Sequence, residues 1–281
     1  MKTKILFSIV ISMLLFIGSL HAQQRIVTAG SSSTEIVCEL GFCDNIVGTD
    51  RTSLYPEKVQ SLPSIGYRTG IGAEGVISLK PDLVIFEKEY VKEEVISQLQ
   101  TTGIKTLVVE HTQNIESTKT RIRAIATALK KTAEGEALIK KIEVNLKAAQ
   151  QKVSTSSAHP TVLCVYARGT GSMMVAGKNT SFGLLPYAGT VNAAGELDGY
   201  KPLNTEALIL ANPDYILFFT TGLESIGGLE GALQIAGVNQ TTAGKKKQII
   251  AMDGVLLTNW GPRVALAVEE LFYLTHPEAK K

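Results

Sequence analysis

Residues 74–86 read Glu74-Gly-Val-Ile-Ser-Leu-Lys-Pro81-Asp82-Leu-Val-Ile-Phe86, and residues 206–218 read Glu206-Ala-Leu-Ile-Leu-Ala-Asn-Pro213-Asp214-Tyr-Ile-Leu-Phe218. In both, an acid stands seven residues before a Pro and eight before an Asp, and an apolar run follows. Gly66-Tyr67 precedes the first copy and Gly199-Tyr200 the second. The physics of the two is the same. An acid suits the first turn of a short helix, where the dipole favours negative charge. Proline cannot continue that helix, and the four apolar residues after the Asp suit a strand buried on both faces. The chain therefore reads as two lobes of one design.

Working outward, short β-branched runs alternate with helical patterns, which signals an α/β architecture. Strands are expected at 25–30, 45–50, 83–87 and 106–110 in the first half, and at 161–168, 215–220 and 249–253 in the second. Helices fit between them, among them 32–40, 92–101 and 264–274. One stretch breaks the rhythm. From Ile115 to Val153 there is no Pro and a single glycine, Gly135. Ile122, Ile125, Ala126 and Leu129 recur at helical spacing, as do Leu138, Ile139, Ile142 and Leu146. At 1.5 Å per residue the stretch would extend nearly ~60 Å, with a kink expected near Gly135 and a shorter helix before it. The Ser-rich run 154–158, closed by His159-Pro160, resets the chain. The expected division is a leader over 1–22, a first lobe over 23–113, a linking helical segment over 114–157 and a second lobe over 158–281.

Residues 1–22 read as a secretory signal: Lys2 and Lys4, then an apolar core from Ile5 to Leu20, then Leu20-His21-Ala22 before Gln23. The core is shorter than the ~20 residues a span requires, and no Cys stands at the cleavage point for a lipid anchor. Export to the periplasm as a soluble protein follows. Without Lys2 and Lys4 the 28 basic residues become 26, against 26 acids. A neutral chain, with the Lys245-Lys246-Lys247 turn as its one basic cluster, argues against nucleic acid or an anionic membrane as partner. Export permits a disulfide. Cys38 and Cys43 are the near pair, with Gly41 between them to let the chain fold back; two separate thiols fit the sequence equally, and Cys164 stands alone.

The whole span from Arg25 to the terminal helix resembles the cobalamin, siderophore and haem class of periplasmic binding proteins. The resemblance implies a fold of two Rossmann-like lobes joined by a single long α-helix, with a ligand cleft between the lobes and limited movement on binding. Gly66-Tyr67-Arg68, Ala73 to Asp82, Tyr200-Lys201-Pro202-Leu203-Asn204-Thr205-Glu206 and Trp260-Gly261-Pro262-Arg263 look most like the haem carriers of that class. What the resemblance implies is capture of haem and its delivery to an ABC importer for iron acquisition; a ferric siderophore or a corrinoid is the alternative cargo.

Under the haem reading Tyr67 is the iron ligand, since a tyrosinate is a hard anionic oxygen donor. A free phenol titrates near ~10, so a cation must favour its ionised form. Arg68 is the neighbouring cation. In the resembling family, however, one residue separates the two, and in an extended segment adjacent side chains point to opposite faces. Tyr200 is expected across the cleft. Arg168, Arg263 and Lys178 are candidates for the haem propionates, because Arg offers a bidentate fork to carboxylates. His111, after a strand, reads as a solvated or locally bonded loop residue, which leaves Tyr67 as the sole protein ligand. Glutamates at the positions of Glu74 and Glu206 dock onto permease arginines in the resembling family, so these two are expected to meet a permease dimer. An outer-membrane haem receptor would stand upstream.

Enzyme signatures are missing: no Gly-x-Ser-x-Gly elbow, His-Glu-x-x-His, P-loop or dinucleotide glycine fingerprint occurs. Ser31-Ser32-Ser33-Thr34 reads as helix-capping residues. A transition-metal carrier is disfavoured because such sites prefer imidazole and histidines are few.

Overall fold

The structure is a computed structural model that describes residues 24–280 except 89. The signal reading for 1–22 lies outside the described residues. Ten strands form two sheets: β1 (Ile26–Ala29), β2 (Ile46–Thr49), β3 (Leu83–Glu87), β4 (Lys105–Val109), β5 (Thr161–Ala167), β6 (Met173–Ala176), β7 (Val191–Asn192), β8 (Tyr200–Pro202), β9 (Tyr215–Phe219) and β10 (Ile249–Met252). The first sheet has the order β2-β1-β3-β4 and is wholly parallel. The second runs β10-β9-β5-β6-β8, with β7 also against β5. Its β10, β9 and β5 are parallel, whereas β6 and β8 are antiparallel additions. Every strand anticipated from the β-branched runs forms; β6, β7 and β8 were not anticipated, being short and lacking such runs.

The main helices are α1 (Ser31–Val37), α2 (Ala73–Ser78), α3 (Glu93–Thr101), α4 (Ile115–Ala128), α5 (Thr132–Val153), α6 (Thr205–Ala211) and α7 (Val264–Thr275). The repeated segment folds alike in both lobes. Helices α2 and α6 each end at a residue in the left-handed region, Lys80 (φ 49°) and Asn212 (φ 40°), directly before the Pro. The following Asp then buckles the new strand to the lobe's first strand. Asp82 Oδ2 accepts the Arg25 amide at 2.8 Å, and the Asp82 amide donates to the Arg25 carbonyl at 2.8 Å. Asp214 Oδ2 accepts the Thr161 amide at 2.9 Å, and its own amide donates to the Thr161 carbonyl at 3.0 Å. The Pro-Asp step thus fixes β3 beside β1 and β9 beside β5.

The linking segment is a shorter helix followed by a long one, broken a few residues before the expected kink: α4 stops at Ala128, the chain reverses through Leu129-Lys130-Lys131, and α5 begins at Thr132. Lys130 takes the left-handed conformation that a glycine would normally supply, at φ 59°, so no Gly or Pro marked the turn. Gly135 lies inside α5 and does not kink it. A Cβ there would come within 2.5 Å of the Ala126 Cβ, so its bare backbone is what lets α4 and α5 approach. The 22 residues of α5 extend about 33 Å at ~1.5 Å each. Leu138, Ile139, Ile142, Leu146 and Ala149 form its buried stripe, as the spacing predicted up to Leu146. That stripe belongs to one continuous core that takes in Ile26 and Ile85 of the first sheet, Cys164 and Leu217 of the second, and Val268 and Leu271 of α7. Separate clusters fill the outer side of each sheet. Two lobes therefore share a floor.

Cys38 and Cys43 are joined by a disulfide around Gly41 (φ 87°), the first of the two sequence alternatives. Cys164 is fully buried in β5, and burial pushes its thiol far above the usual range. Among the described residues no helix is long and apolar enough to cross a membrane.

Candidate ligand-binding cleft

In parallel sheets the crevice at the carboxyl ends of the strands is the usual place for ligands. Both lobes turn those ends toward one cavity of about 420 Å³. The first lobe supplies Ser31 after β1, Tyr67 and Arg68 from the loop before α2, Tyr90 after β3, and His111 and Gln113 after β4. The second supplies Tyr166 at the end of β5, Met174 in β6, Tyr200 at the start of β8, and Phe219 at the end of β9. A larger hollow, about 700 Å³, lies at the opposite edge of the first sheet, around Gln24, Leu83 and Lys105. No aromatic side chain lines it, whereas convergent aromatic and hydroxyl groups make the smaller cavity a binding site.

The second-lobe wall is aromatic. Tyr166 meets Tyr200 and Phe219 edge to face, at ring-centre distances of 6.4 and 5.7 Å, and Phe219 stacks on Phe182 at 5.2 Å. The Tyr200 hydroxyl is paired with Ser181 Oγ at 2.6 Å. On the first-lobe wall Tyr67 is nearly half exposed, in extended backbone (φ −130°), and Arg68 then turns left-handed at φ 46°. That turn carries its guanidinium over two rings, 5.6 Å from Tyr67 and 5.0 Å from Tyr90. Arg68 therefore stacks on ring faces, a cation–π contact. The oxygen-supporting cation lies elsewhere. Arg168 Nε donates to Tyr166 Oη at 2.6 Å, and Arg168 also interacts with the Tyr67 hydroxyl across the cleft. Its own ionisation is pushed up first by the Tyr166 bond, with a smaller contribution from Tyr67.

Sequence reasoning missed Tyr166. The signal was present: Tyr166 and Arg168 are separated by one residue at the end of a strand, and residues i and i+2 share a face. The tyrosines are also not equivalent. Tyr90 is pushed up to about 12, chiefly by burial and then by the charge of Glu87, so it stays neutral.

His111 is locally bonded, as expected, but it also reaches the cleft floor rather than solvent. Its Nδ1 stands 2.6 Å from Glu87 Oε2 and 2.7 Å from Arg121 Nη1. Glu87 is wholly buried in a place that only a glycine at position 30 permits: a Cβ on Gly30 would lie 2.3 Å from the Glu87 Cδ. Desolvation pushes the Glu87 carboxyl up, but the His111 contact, the charge of Arg121 and the Ser33 amide outweigh it and hold it below its ordinary value.

Two candidate cations stand apart from the cleft. Lys178 is exposed and its loop pairs with Asp198. Arg263 is committed to the buried Glu35, through Nε to Oε2 at 3.0 Å and Nη2 to Oε1 at 2.5 Å, and it lies 3.7 Å over the Tyr55 ring. The expected propionate role of Arg263 is thus displaced by a structural one. Asn259 donates to the same carboxylate at 2.9 Å and accepts from Ser31 Oγ at 2.8 Å, while Thr118 Oγ1 donates to the Trp260 carbonyl at 2.6 Å. The segment 259–263 of the second lobe is in this way latched to α1 of the first lobe and to α4 of the linking segment. Ser31 to Thr34 lie inside α1, buried, with Gly30 at the cap position, so they are not the capping residues the sequence suggested. Glu74 and Glu206 are exposed in the first turns of α2 and α6.

The chain belongs to the periplasmic binding protein family, whose model matches residues 26–256. Within that family it is a substrate-binding protein of an ABC importer, a carrier that meets a membrane permease and performs no catalysis. The structure superposes on the apo periplasmic heme-binding protein RhuT from Roseiflexus sp. RS-1 with a TM-score of 0.87 at 35% identity, covering 92% of this chain and 100% of that one. A periplasmic heme-binding protein from Pseudomonas aeruginosa gives 0.82 at 30% identity, over 90% and 93%. By sequence the chain is 29% identical to the uncharacterized ABC transporter substrate-binding lipoprotein YvrC of Bacillus subtilis, over 92% of this chain and 82% of that protein. It is 26% identical to a vitamin B12-binding protein of Vibrio campbellii, over 73% and 74%.

Proposed function

We propose that this protein, exported by the leader at 1–22, captures ferric haem in the cleft and delivers it to its importer. The observation that carries the reading is the Tyr166–Arg168 pair facing Tyr67 from the opposite lobe. A phenolate is an anionic oxygen ligand for ferric iron, and a charged donor on its oxygen favours that form. Tyr67 and Tyr166 would approach the iron from opposite faces, replacing the contact that Arg168 now makes with Tyr67. Phe219 and Tyr200 offer ring faces to the flat macrocycle, and Arg68 and Arg168 are the cations in reach of its carboxylates. Lys178 and Arg263 are left out, the first because it does not line the cleft and the second because Glu35 holds it. Docking to the permease falls to Glu74 and Glu206, exposed at matched places on the two lobes, and an outer-membrane receptor would supply the haem.

A corrinoid is the second reading, favoured by the relatives named as vitamin B12-binding proteins. A visible absorption titration of the protein, from residue 23 onward, decides between them. Hemin should give a ferric spectrum with a phenolate-to-iron charge-transfer band and saturate, while cyanocobalamin leaves the protein unchanged. Saturation by cyanocobalamin with no hemin spectrum would replace the haem reading.

A further inference from the structure

The two lobes present unlike surfaces around their matched acids. Glu206 and Leu210 are four residues apart on α6, so they sit one turn apart on one helix face. Leu210 is 87% exposed, the most exposed large apolar side chain among the described residues. It stands on the rim of a groove of about 250 Å³ whose walls are Val175, Ala194, Leu197, Ala207 and Leu208, with Glu196 at its edge. On the first lobe the residue four after Glu74 is Ser78. An exposed leucine beside a matched acid has no role in the ligand cleft and lies on the far side of β5 and β6 from the shared core, where Leu163, Val175 and Leu208 form the outer cluster.

We propose that this groove is part of the permease contact: it receives one large apolar side chain from a periplasmic loop of the permease subunit whose cation meets Glu206. The proposal rests on the docking role given above to Glu74 and Glu206. Two features select this occupant. The groove continues the face that carries Glu206, so a loop whose cation reaches that acid has its neighbouring residue over Leu210. The ionisable side chain lining the groove is an acid, Glu196, which complements a basic loop and opposes a second copy presenting the same acid. The second lobe then docks by charge and apolar contact together, and the first by charge alone.

The test is binding to the importer's permease in lipid nanodiscs, at two salt concentrations, alongside a hemin titration of each variant. Leu210→Ser, which copies the first lobe, should weaken docking about tenfold, the scale for exposing one large apolar side chain, with little change on adding salt. Glu206→Ala should weaken it in a salt-dependent way, and Ile77→Ser, the exposed apolar residue of α2, should have little effect. Hemin titrations should be unchanged throughout. Docking of Leu210→Ser at wild-type strength while Glu206→Ala is weakened would overturn the groove proposal and leave the docking reading standing. Wild-type docking by Glu206→Ala together with Glu74→Ala would remove both. A wild-type dimer in sedimentation that Leu210→Ser dissolves would give the groove to a second copy and overturn the proposal.

Discussion

The two lobes share a parallel triplet, β1-β3-β4 in one and β5-β9-β10 in the other, and the same Pro-Asp buckle between its first two strands. They part at the next position. Beside β1 lies parallel β2, but beside β5 a parallel β7 of only two residues gives way to antiparallel β6 and then β8. That substitution places Met174 and Tyr200 on the second-lobe wall and builds an aromatic surface with Tyr166 and Phe219. The first-lobe wall is polar and charged instead, with Arg68 over two tyrosine rings and a buried Glu87–His111–Arg121 group beneath. The repeated Pro-Asp step is thus scaffold, and apart from the matched Tyr67 and Tyr200 the unrepeated part makes the site.

The comparison is sharpest at the two tyrosines. Tyr166 has Arg168 on its oxygen as its own partner in the same strand end, whereas Tyr67 reaches that cation only across the cleft. Tyr166→Phe should therefore weaken hemin binding more than Tyr67→Phe, by at least about tenfold or ~1.4 kcal/mol, and should shift the charge-transfer band. Equal losses, or a larger one at Tyr67, would mean that the second lobe does not dominate iron binding.

An effect on stability rather than on binding is expected where the lobes are latched. Arg263→Met leaves Glu35, 2% exposed, without its charged partner. The cost should be about 2–3 kcal/mol in denaturant unfolding, below the full range for a buried pair because Arg263 is partly exposed. Burial already holds Glu35 above its ordinary value despite Arg263, so the variant should also take up a proton at that carboxyl more readily. A loss under ~0.5 kcal/mol would show that the shared core alone fixes the lobes.

The smallest expected effect distinguishes the first-lobe floor. Folding lowers the Glu87 pKa from 4.5, so the folded state favours its carboxylate. The resulting stability is complete above that ordinary value and is lost as pH falls through the lowered one. Glu87→Gln should flatten the acid side of the stability curve below about pH 4.5. An unchanged acid limb in thermal unfolding would place the proton uptake elsewhere.

By itself the sequence determined the repeat, the parallel strands and the buried stripe of α5, because apolar periodicity and a Pro-Asp step act on neighbouring residues. It also pointed to Tyr67, through a motif. It did not mark the turn at Lys130, a left-handed residue where the Lys131 amide closes back on the Ala126 carbonyl and Gly135 then packs on Ala126. Nor did it decide the partners of the charged groups. Arg68 and Arg168 are equally basic on the page, and only the fold turns one onto ring faces and the other onto a phenol oxygen. Arg263 and Glu35 stand 228 residues apart in the chain and meet because two lobes share one core. Contacts between distant segments follow from how the sheets and helices pack, and no local pattern encodes them.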